Sequence, residues 1–247
     1  MRIAVLADVH GNRHALAAVT ADLRRQSPDL VVNLGDLVSG PFDPAGSADA
    51  QMALGAATLM GNHDRWVLEG PPAGYSDDAL ARTALSDAHR NWMAGLPPTL
   101  SLDGGDVFAC HGSPAGGDLD YLLEDVDTGR ALLASPDRIR PRLGGIGAAR
   151  LVLCGHSHTA RTVSLDGLLI VNPGSVGLPG YADDLPVPHV MEAGTTHALY
   201  AVVERTGSGW TAALRAVPYD HEAAAREAER AGRPAIAHSV RTGRMPA

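Results

Sequence analysis

Short apolar runs closed by glycine and a polar residue recur along the chain, and their spacing sets out most of the expected elements. The first, Met1 to Ala7, reads as a buried β-strand reaching Asp8. Between Asn12 and Gln26, Leu16, Val19 and Leu23 recur at helical spacing. Arg24 and Arg25 fall in the last turn, where cations suit the helix dipole, and Pro28 stops the helix. A second strand, Leu30 to Leu34, ends at Gly35-Asp36. A polar loop from Ser39 to Ser47 and a short Ala-rich helix from about Ala48 to Gly55 follow. The third strand, Ala57 to Met60, ends at Gly61-Asn62-His63-Asp64. Short strands alternating with helices predict β/α architecture.

The second half has a different texture. The pattern predicts a helix over about Asp77 to Met93, broken by Pro97-Pro98. A hairpin of Thr99–Leu102 and Val107–Cys110 follows across Gly104-Gly105. Two short helices are expected between Leu119 and Leu143, then a buried strand, Leu151 to Cys154. A hairpin of Arg161–Leu165 and Leu168–Val171 turns at Asp166-Gly167. Strands Ala198–Glu204 and Trp210–Val217 and a helical tail, Asp220 to Ala231, complete the reading. Neither an internal repeat nor a linker divides the sequence, so one domain over 1–247 is expected, with a C-terminal helical tail from about 220.

Composition narrows the function classes. The 247 residues are 45% hydrophobic and 19% charged, which suits a globular core. No apolar run approaches the roughly 18–20 residues of a membrane span. The net charge of −8 gives no global basic field for extended nucleic acid, and all 20 basic residues are Arg. Aromatics at 4% are too few for a base-stacking surface, and two cysteines, Cys110 and Cys154, are too few for a disulfide scaffold. Both read as small buried hydrophobes rather than redox groups. Polar sequence begins at once after the first strand, without a signal-peptide pattern, and chemistry at Asp8 would require the N-terminus to be kept. A cytoplasmic protein is expected.

The candidate chemistry sits where the strands end. Asp8-Val9-His10-Gly11-Asn12, Gly35-Asp36, Gly61-Asn62-His63-Asp64, His111-Gly112 and Gly155-His156-Ser157-His158 each follow an apolar run. All would project from the carboxyl edge of a sheet, where α/β proteins bind ligands. Asp8, His10, Asp36, Asn62, His111, His156 and His158 are seven oxygen or nitrogen donors, too many for one tetrahedral ion. Two divalent ions sharing one carboxylate use them all, and ions about 3.5–4 Å apart suit in-line attack at phosphorus by a hydroxide held between them. A Rossmann site is excluded, because no Gly-x-Gly-x-x-Gly follows the first strand.

These clusters, in this order, resemble the calcineurin-like metallophosphoesterase superfamily: Asp-x-His, Gly-Asp, Gly-Asn-His-(Glu/Asp), a separate His and Gly-His-x-His. Asn172-Pro173-Gly174-Ser175-Val176-Gly177 further resembles the small bacterial phosphodiesterase branch. The resemblance covers about Met1 to Val217. It implies a four-layer α/β/β/α sandwich of two mixed sheets flanked by helices. One metal would be held by Asp8, His10, Asp36 and His158 and the other by Asp36, Asn62, His111 and His156, with Asp36 bridging. His63 would assist the leaving oxygen. Leu37-Val38-Ser39-Gly40 after Gly-Asp lacks the Arg of the phosphoprotein-phosphatase branch, which argues against a protein phosphatase.

Manganese, iron, nickel, cobalt and zinc all suit such donors, with manganese foremost. The expected activity is hydrolysis of small phosphodiesters or phosphoanhydrides of nucleotide type. Phosphomonoesterase and dinucleoside polyphosphate hydrolase are the alternatives on the same core. A non-catalytic interaction scaffold, like the retromer subunit on this fold, is the rival from another class. Asp64 either polarises His63 or caps the helix after it, and the cap is preferred. Asn12, Asn172, Gly174, Ser175 and His189 are the substrate-binding candidates. His189 lies in Tyr181–Gly194, which reads either as a substrate-facing flap or as a surface loop.

Overall fold

The computed structural model describes residues 1–247. Strand β1 (Arg2–Leu6) leads through helix α1 (Arg13–Gln26) to β2 (Leu30–Asn33), and α2 (Pro44–Leu54) leads to β3 (Ala57–Thr58). β1, β2 and β3 pair in parallel, each joined to the next through a helix, as parallel neighbours require. Helices α3 (Asn62–Glu69), α4 (Ser76–Ala84) and α5 (Asp87–Ala94) then carry the chain to the second sheet. There β4 (Thr99–Leu102) and β5 (Val107–Cys110) form the expected hairpin. A two-stranded ribbon, β6 (Glu124–Asp125) with β7 (Leu132–Leu133), and helix α6 (Pro136–Arg142) precede β8 (Leu151–Leu153), β9 (Arg161–Leu165) and β10 (Leu168–Asn172). A hairpin of β11 (Gly180–Asp183) and β12 (His189–Glu192) stands apart from both sheets. Strands β13 (Ala198–Thr206) and β14 (Gly209–Val217) return to the first sheet, and α7 (His221–Arg230) and α8 (Pro234–Thr242) close the chain.

The two five-stranded sheets run β14-β13-β1-β2-β3 and β4-β5-β8-β10-β9, each mixing parallel and antiparallel pairs. Strand periodicity explains the layers. Ile3 and Val5 face inward and meet Val107, Ala109, Leu151, Leu153 and Val171 of the other sheet. Ala4 and Leu6 point the opposite way, onto Leu16, Val19 and Leu23 of α1. On the far face of the second sheet, Cys110, Val152, Cys154 and Ile170 pack under Leu122, Leu123 and Ile139. Two sheets face to face with helices outside make the four-layer sandwich the resemblance implied.

Several expected elements are redrawn. The helix over Asp77–Met93 is two, α4 and α5, parted at Leu85-Ser86, where the Ser86 hydroxyl accepts from His89 N–H at 3.3 Å and starts a new helix. Helix α2 starts at Pro44 rather than Ala48, because the Asp43 carboxylate accepts from Gly46 N–H at 2.9 Å with Pro44 at the first helical position. Only α6 forms between Leu119 and Leu143; the Leu119 side is drawn into the β6–β7 ribbon, where Ala134 N–H donates to the Leu123 carbonyl at 2.8 Å. Tyr181–Gly194 is a hairpin rather than a loop. The tail holds two helices, and their buried alanines, Ala224, Ala225, Ala228 and Ala237, let them pack closely.

Candidate metal centre

Five tight turns at strand ends build the site. After β1, Asp8 and His10 both adopt positive φ (57° and 49°), as do Asp36 after β2 (57°) and His156 and His158 after β8 (66° and 54°). Left-handed backbone costs a non-glycine residue about 1 kcal/mol or more, and five such residues at one place are a concentration of strain of the kind found at functional sites. Asp and His tolerate this conformation better than most residues. The turns are stitched together by backbone: Asp8 N–H donates to the Gly35 carbonyl (3.0 Å), His10 N–H to that of Asp36 (2.9 Å) and Gly155 N–H to that of His111 (2.7 Å). Glycine is required where two turns touch. A Cβ on Gly61 would stand 2.2 Å from Asp36 Oδ1, and one on Gly35 would stand 2.4 Å from Gly61 N.

The result is two adjacent buried clusters. Asp8, His10 and His158 form one, and Asp36, His111 and His156 the other, with donor atoms in each within 4.8 Å of one another. Asp36 lies between them: its Oδ2 is 3.7 Å from His10 Nε2 and 3.3 Å from His111 Nε2. The seventh expected donor, Asn62, is buried and lines the same cavity as His10 and Asp36.

Each imidazole is aimed by a backbone carbonyl. Nδ1 of His10, His111 and His158 lies 2.7, 2.7 and 2.6 Å from the carbonyls of Ser39, Leu34 and Leu178, which leaves Nε2 to face the cluster. His156 is turned the other way, with Nε2 3.2 Å from the Leu119 carbonyl and Nδ1 free. Such outer hydrogen bonds fix the tautomer and orientation of metal-binding histidines.

The donor set fits a pair of divalent cations. Both carboxylate oxygens of Asp8, the side-chain oxygen of Asn62 and Nε2 of His111 are buried without a hydrogen-bond partner, a costly state for polar atoms unless a cation satisfies them. Nε2 of His10 and of His158 approach to 3.1 Å. Burial pulls His10 down to about 4 and His156 to about 3, so both keep a lone pair at neutral pH. Burial also opposes a proton on His111, yet Asp36 and Asp8 raise that imidazole to about 10: the buried carboxylates demand positive charge.

His63 stands beside the clusters at the start of α3, its ring centroid 5.4 Å from that of His10. Its Nδ1 lies 2.8 Å from Asp78 Oδ1 on α4. Burial disfavours the charged ring, but Asp36 and Asp78 outweigh it and raise His63 to about 9, so it carries a proton at neutral pH. Asp64 takes the expected capping place and does more. Its Oδ2 accepts from Gly61 N–H (3.0 Å) and Asp36 N–H (2.8 Å), and its Oδ1 from Leu37 N–H (2.9 Å), so one carboxylate locks two of the turns.

A model of the calcineurin-like phosphoesterase superfamily domain matches residues 1–194. The chain belongs to that superfamily. Calcineurin-like phosphoesterases are hydrolases that use divalent metals. MJ0912 of Methanocaldococcus jannaschii, itself uncharacterised, is 25% identical over 201 residues, 72% of this chain and 76% of the relative. Among solved structures, a metallophosphoesterase from Sphaerobacter thermophilus superposes with a TM-score of 0.75 at 23% identity, covering 99% of this chain and 100% of the other. PH1004 of Pyrococcus horikoshii gives 0.74 at 17% identity, with 99% of each chain covered. Both likenesses are of fold.

The substrate-binding candidates lie elsewhere than expected. Asn12 is buried as the cap of α1, accepting from Ala15 N–H at 3.1 Å and donating to the Gly177 carbonyl at 2.9 Å. Asn172 donates to the Gly155 carbonyl (2.8 Å) and accepts from Gly174 N–H (2.9 Å), and Gly174 packs against Leu199. Ser175 donates to the Asp8 carbonyl at 2.8 Å. These four brace the metal turns from below. His189 is buried on β12, 2.8 Å from the Tyr121 hydroxyl, and does not line the cavity. What the sequence reading missed lies on the cavity wall: Asp78 and Tyr75 around α4, and Tyr181 on β11.

Proposed function

We propose that the protein hydrolyses small phosphodiesters or phosphoanhydrides of nucleotide type with the help of two divalent metal ions. The observation that carries this reading is the pair of adjacent buried clusters, Asp36 of one lying 3.7 Å from His10 of the other, with donor atoms left unpartnered, directly beside the Asp78-anchored His63. Asp8, His10, Asp36 and His158 would hold one ion, and Asp36, Asn62, His111 and His156 the other. When bound, such a pair polarises phosphoryl oxygens and makes water a nucleophile near neutral pH.

The chain's own residues supply the rest. The cavity above the clusters has a volume of about 660 Å³, the size of a small ligand. As water attacks phosphorus, the leaving oxygen departs on the opposite side, toward His63. Asp78 occupies Nδ1 of that ring, which leaves Nε2 to give its proton to the departing alcohol or phosphate. Asp64 keeps Asp36 and Asn62 in register by tying their turns. Ile236 and Met245 of the C-terminal region line the cavity, which supports the whole chain working as one unit. The charge of −8 argues against extended nucleic acid as substrate. No helix is long and apolar enough to cross a membrane, and we place the reaction in the cytoplasm.

The test is a panel of bis(p-nitrophenyl) phosphate, p-nitrophenyl phosphate, cyclic nucleotides and diadenosine tetraphosphate, each with Mn²⁺, Fe²⁺, Co²⁺, Ni²⁺ or Zn²⁺. Turnover of the diester is expected, with Mn²⁺ foremost, and Asp36→Asn abolishes it. Silence across the whole panel would favour a binding scaffold on this fold.

A further inference from the structure

We infer, building on the hydrolase reading above, that the substrate carries its negative charge only on the phosphate at the metal centre: an ester whose other half is neutral or cationic, rather than a polyphosphate. The chain has 20 arginines and lysines together, yet none of them lines the cavity above the clusters. Proteins that grip further phosphates do so with Arg or Lys, often bidentately. Here the wall beyond His63 is aromatic and apolar, with Tyr75, Tyr181, Leu185 and Met245.

The charges on that wall are negative. Asp77, Asp78, Asp183 and Asp184 all line it. Asp77 is offset by Arg233 at 2.6 Å, and Asp78 is engaged with His63 while its other oxygen stays buried and unpartnered. Asp183 accepts a backbone bond from Leu185 N–H (3.1 Å) and lies beside the Tyr75 hydroxyl, and Asp184 is exposed; neither is paired with an arginine. Burial and the carboxylates of Asp183, Asp78 and Asp184 push the Tyr75 hydroxyl up, so the aromatic wall stays uncharged.

A second cleft, of about 690 Å³, continues from the first past Tyr75, His156, Asp183 and Leu185. It does contain arginines, but each is already taken. Arg65 pairs with Asp118 (2.9 Å), Arg138 with Asp127 (2.8 Å) and Arg142 with Asp125 (2.6 Å). A phosphate chain would have to break a pair to be held there. Either direction therefore repels or ignores extra negative charge, whereas a nucleoside, sugar or amino-alcohol half meets aromatic faces and acceptors.

A matched pair of esters isolates charge from leaving group: thymidine 5′-(p-nitrophenyl phosphate) and the same ester bearing a 3′-phosphate. In each, water adds at phosphorus, the P–O bond to the aryl group breaks and p-nitrophenolate leaves. With metal-loaded protein at low salt, the 3′-phosphate is expected to lower kcat/KM at least about tenfold. Salt at about 0.5 M and the variants Asp184→Asn and Asp183→Asn/Asp184→Asn each shrink that penalty, because it is Coulombic. Calorimetry on the products gives a second readout, thymidine 5′-phosphate binding more tightly than thymidine 3′,5′-bisphosphate. The inference is overturned if the 3′-phosphorylated ester is the better substrate, or if its penalty ignores both salt and the variants, which would mark it as steric. Should a variant fold poorly, the salt series on the unaltered protein decides. If neither ester nor bis(p-nitrophenyl) phosphate is cleaved with any metal, the hydrolase reading itself fails, an outcome separable from the others.

Discussion

On the proposed mechanism, Asp78 sets which nitrogen of His63 would meet the substrate. Its carboxylate is fully buried, bonds Nδ1 at 2.8 Å and belongs to a helix that contributes no metal-binding donor. Asp78→Asn is therefore expected to leave the metal content unchanged and to lower kcat by about 10–100-fold, more for alkyl than for p-nitrophenyl leaving groups. Metal analysis alongside a leaving-group series checks this. A rise in KM with kcat intact would make Asp78 a substrate contact instead. That the seven candidate donors and His63 come together was legible because each sits in a local motif at a strand end, where glycine and apolar neighbours mark it. Asp78 was not, because nothing within its own helix announces a partner 15 residues earlier. Asp64, the nearer carboxylate, is spent on three backbone N–H groups and cannot serve.

Among the elements, α1 shows how one residue can look like chemistry and act as architecture. Asn12 directly follows the Asp8-x-His10 turn, yet both ends of its amide are used, one capping α1 and the other holding the Gly177 carbonyl. Asn12→Ala should cost about 1–2 kcal/mol of stability through the lost cap while leaving KM near its original value, measured by urea denaturation and steady-state kinetics. A large KM change at unchanged stability would return Asn12 to the substrate site. The same doubling marks α3, whose first turn is Asn62-His63-Asp64: the candidate ligand Asn62 is also its first residue, and Asp64 takes the capping place the sequence offered. Hairpin β11–β12 was illegible for a different reason. Pro186 and Pro188 interrupt the alternation, and its strands are stabilised by tertiary contacts, the Tyr181 hydroxyl donating to the His156 carbonyl at 2.9 Å and Ser239 on α8 donating to the Gly180 carbonyl at 3.0 Å.

Across the whole molecule, the sandwich holds a site that is unfavourable by itself. Both sheets converge on five left-handed residues, two buried carboxylates and several polar atoms without partners, and the large apolar layer between the sheets compensates for the arrangement. Anything that binds the folded site and not the unfolded chain must then stabilise the fold by mass action, about 2.7 kcal/mol per site at a hundredfold excess over Kd. For a domain of this size each kcal/mol shifts Tm by about 2–4 °C, so with two sites filled metal-stripped protein should melt on the order of 10–20 °C below protein saturated with Mn²⁺. Scanning calorimetry of the two forms measures the gap. Asp36→Asn sharpens the test, because Asp36 lies between both clusters: the gap should nearly vanish in that variant, while a change confined to one cluster, such as His158→Ala, should keep about half of it. Equal melting temperatures for stripped and loaded native protein, or an undiminished gap in Asp36→Asn, would mean that these side chains do not grip the ions together.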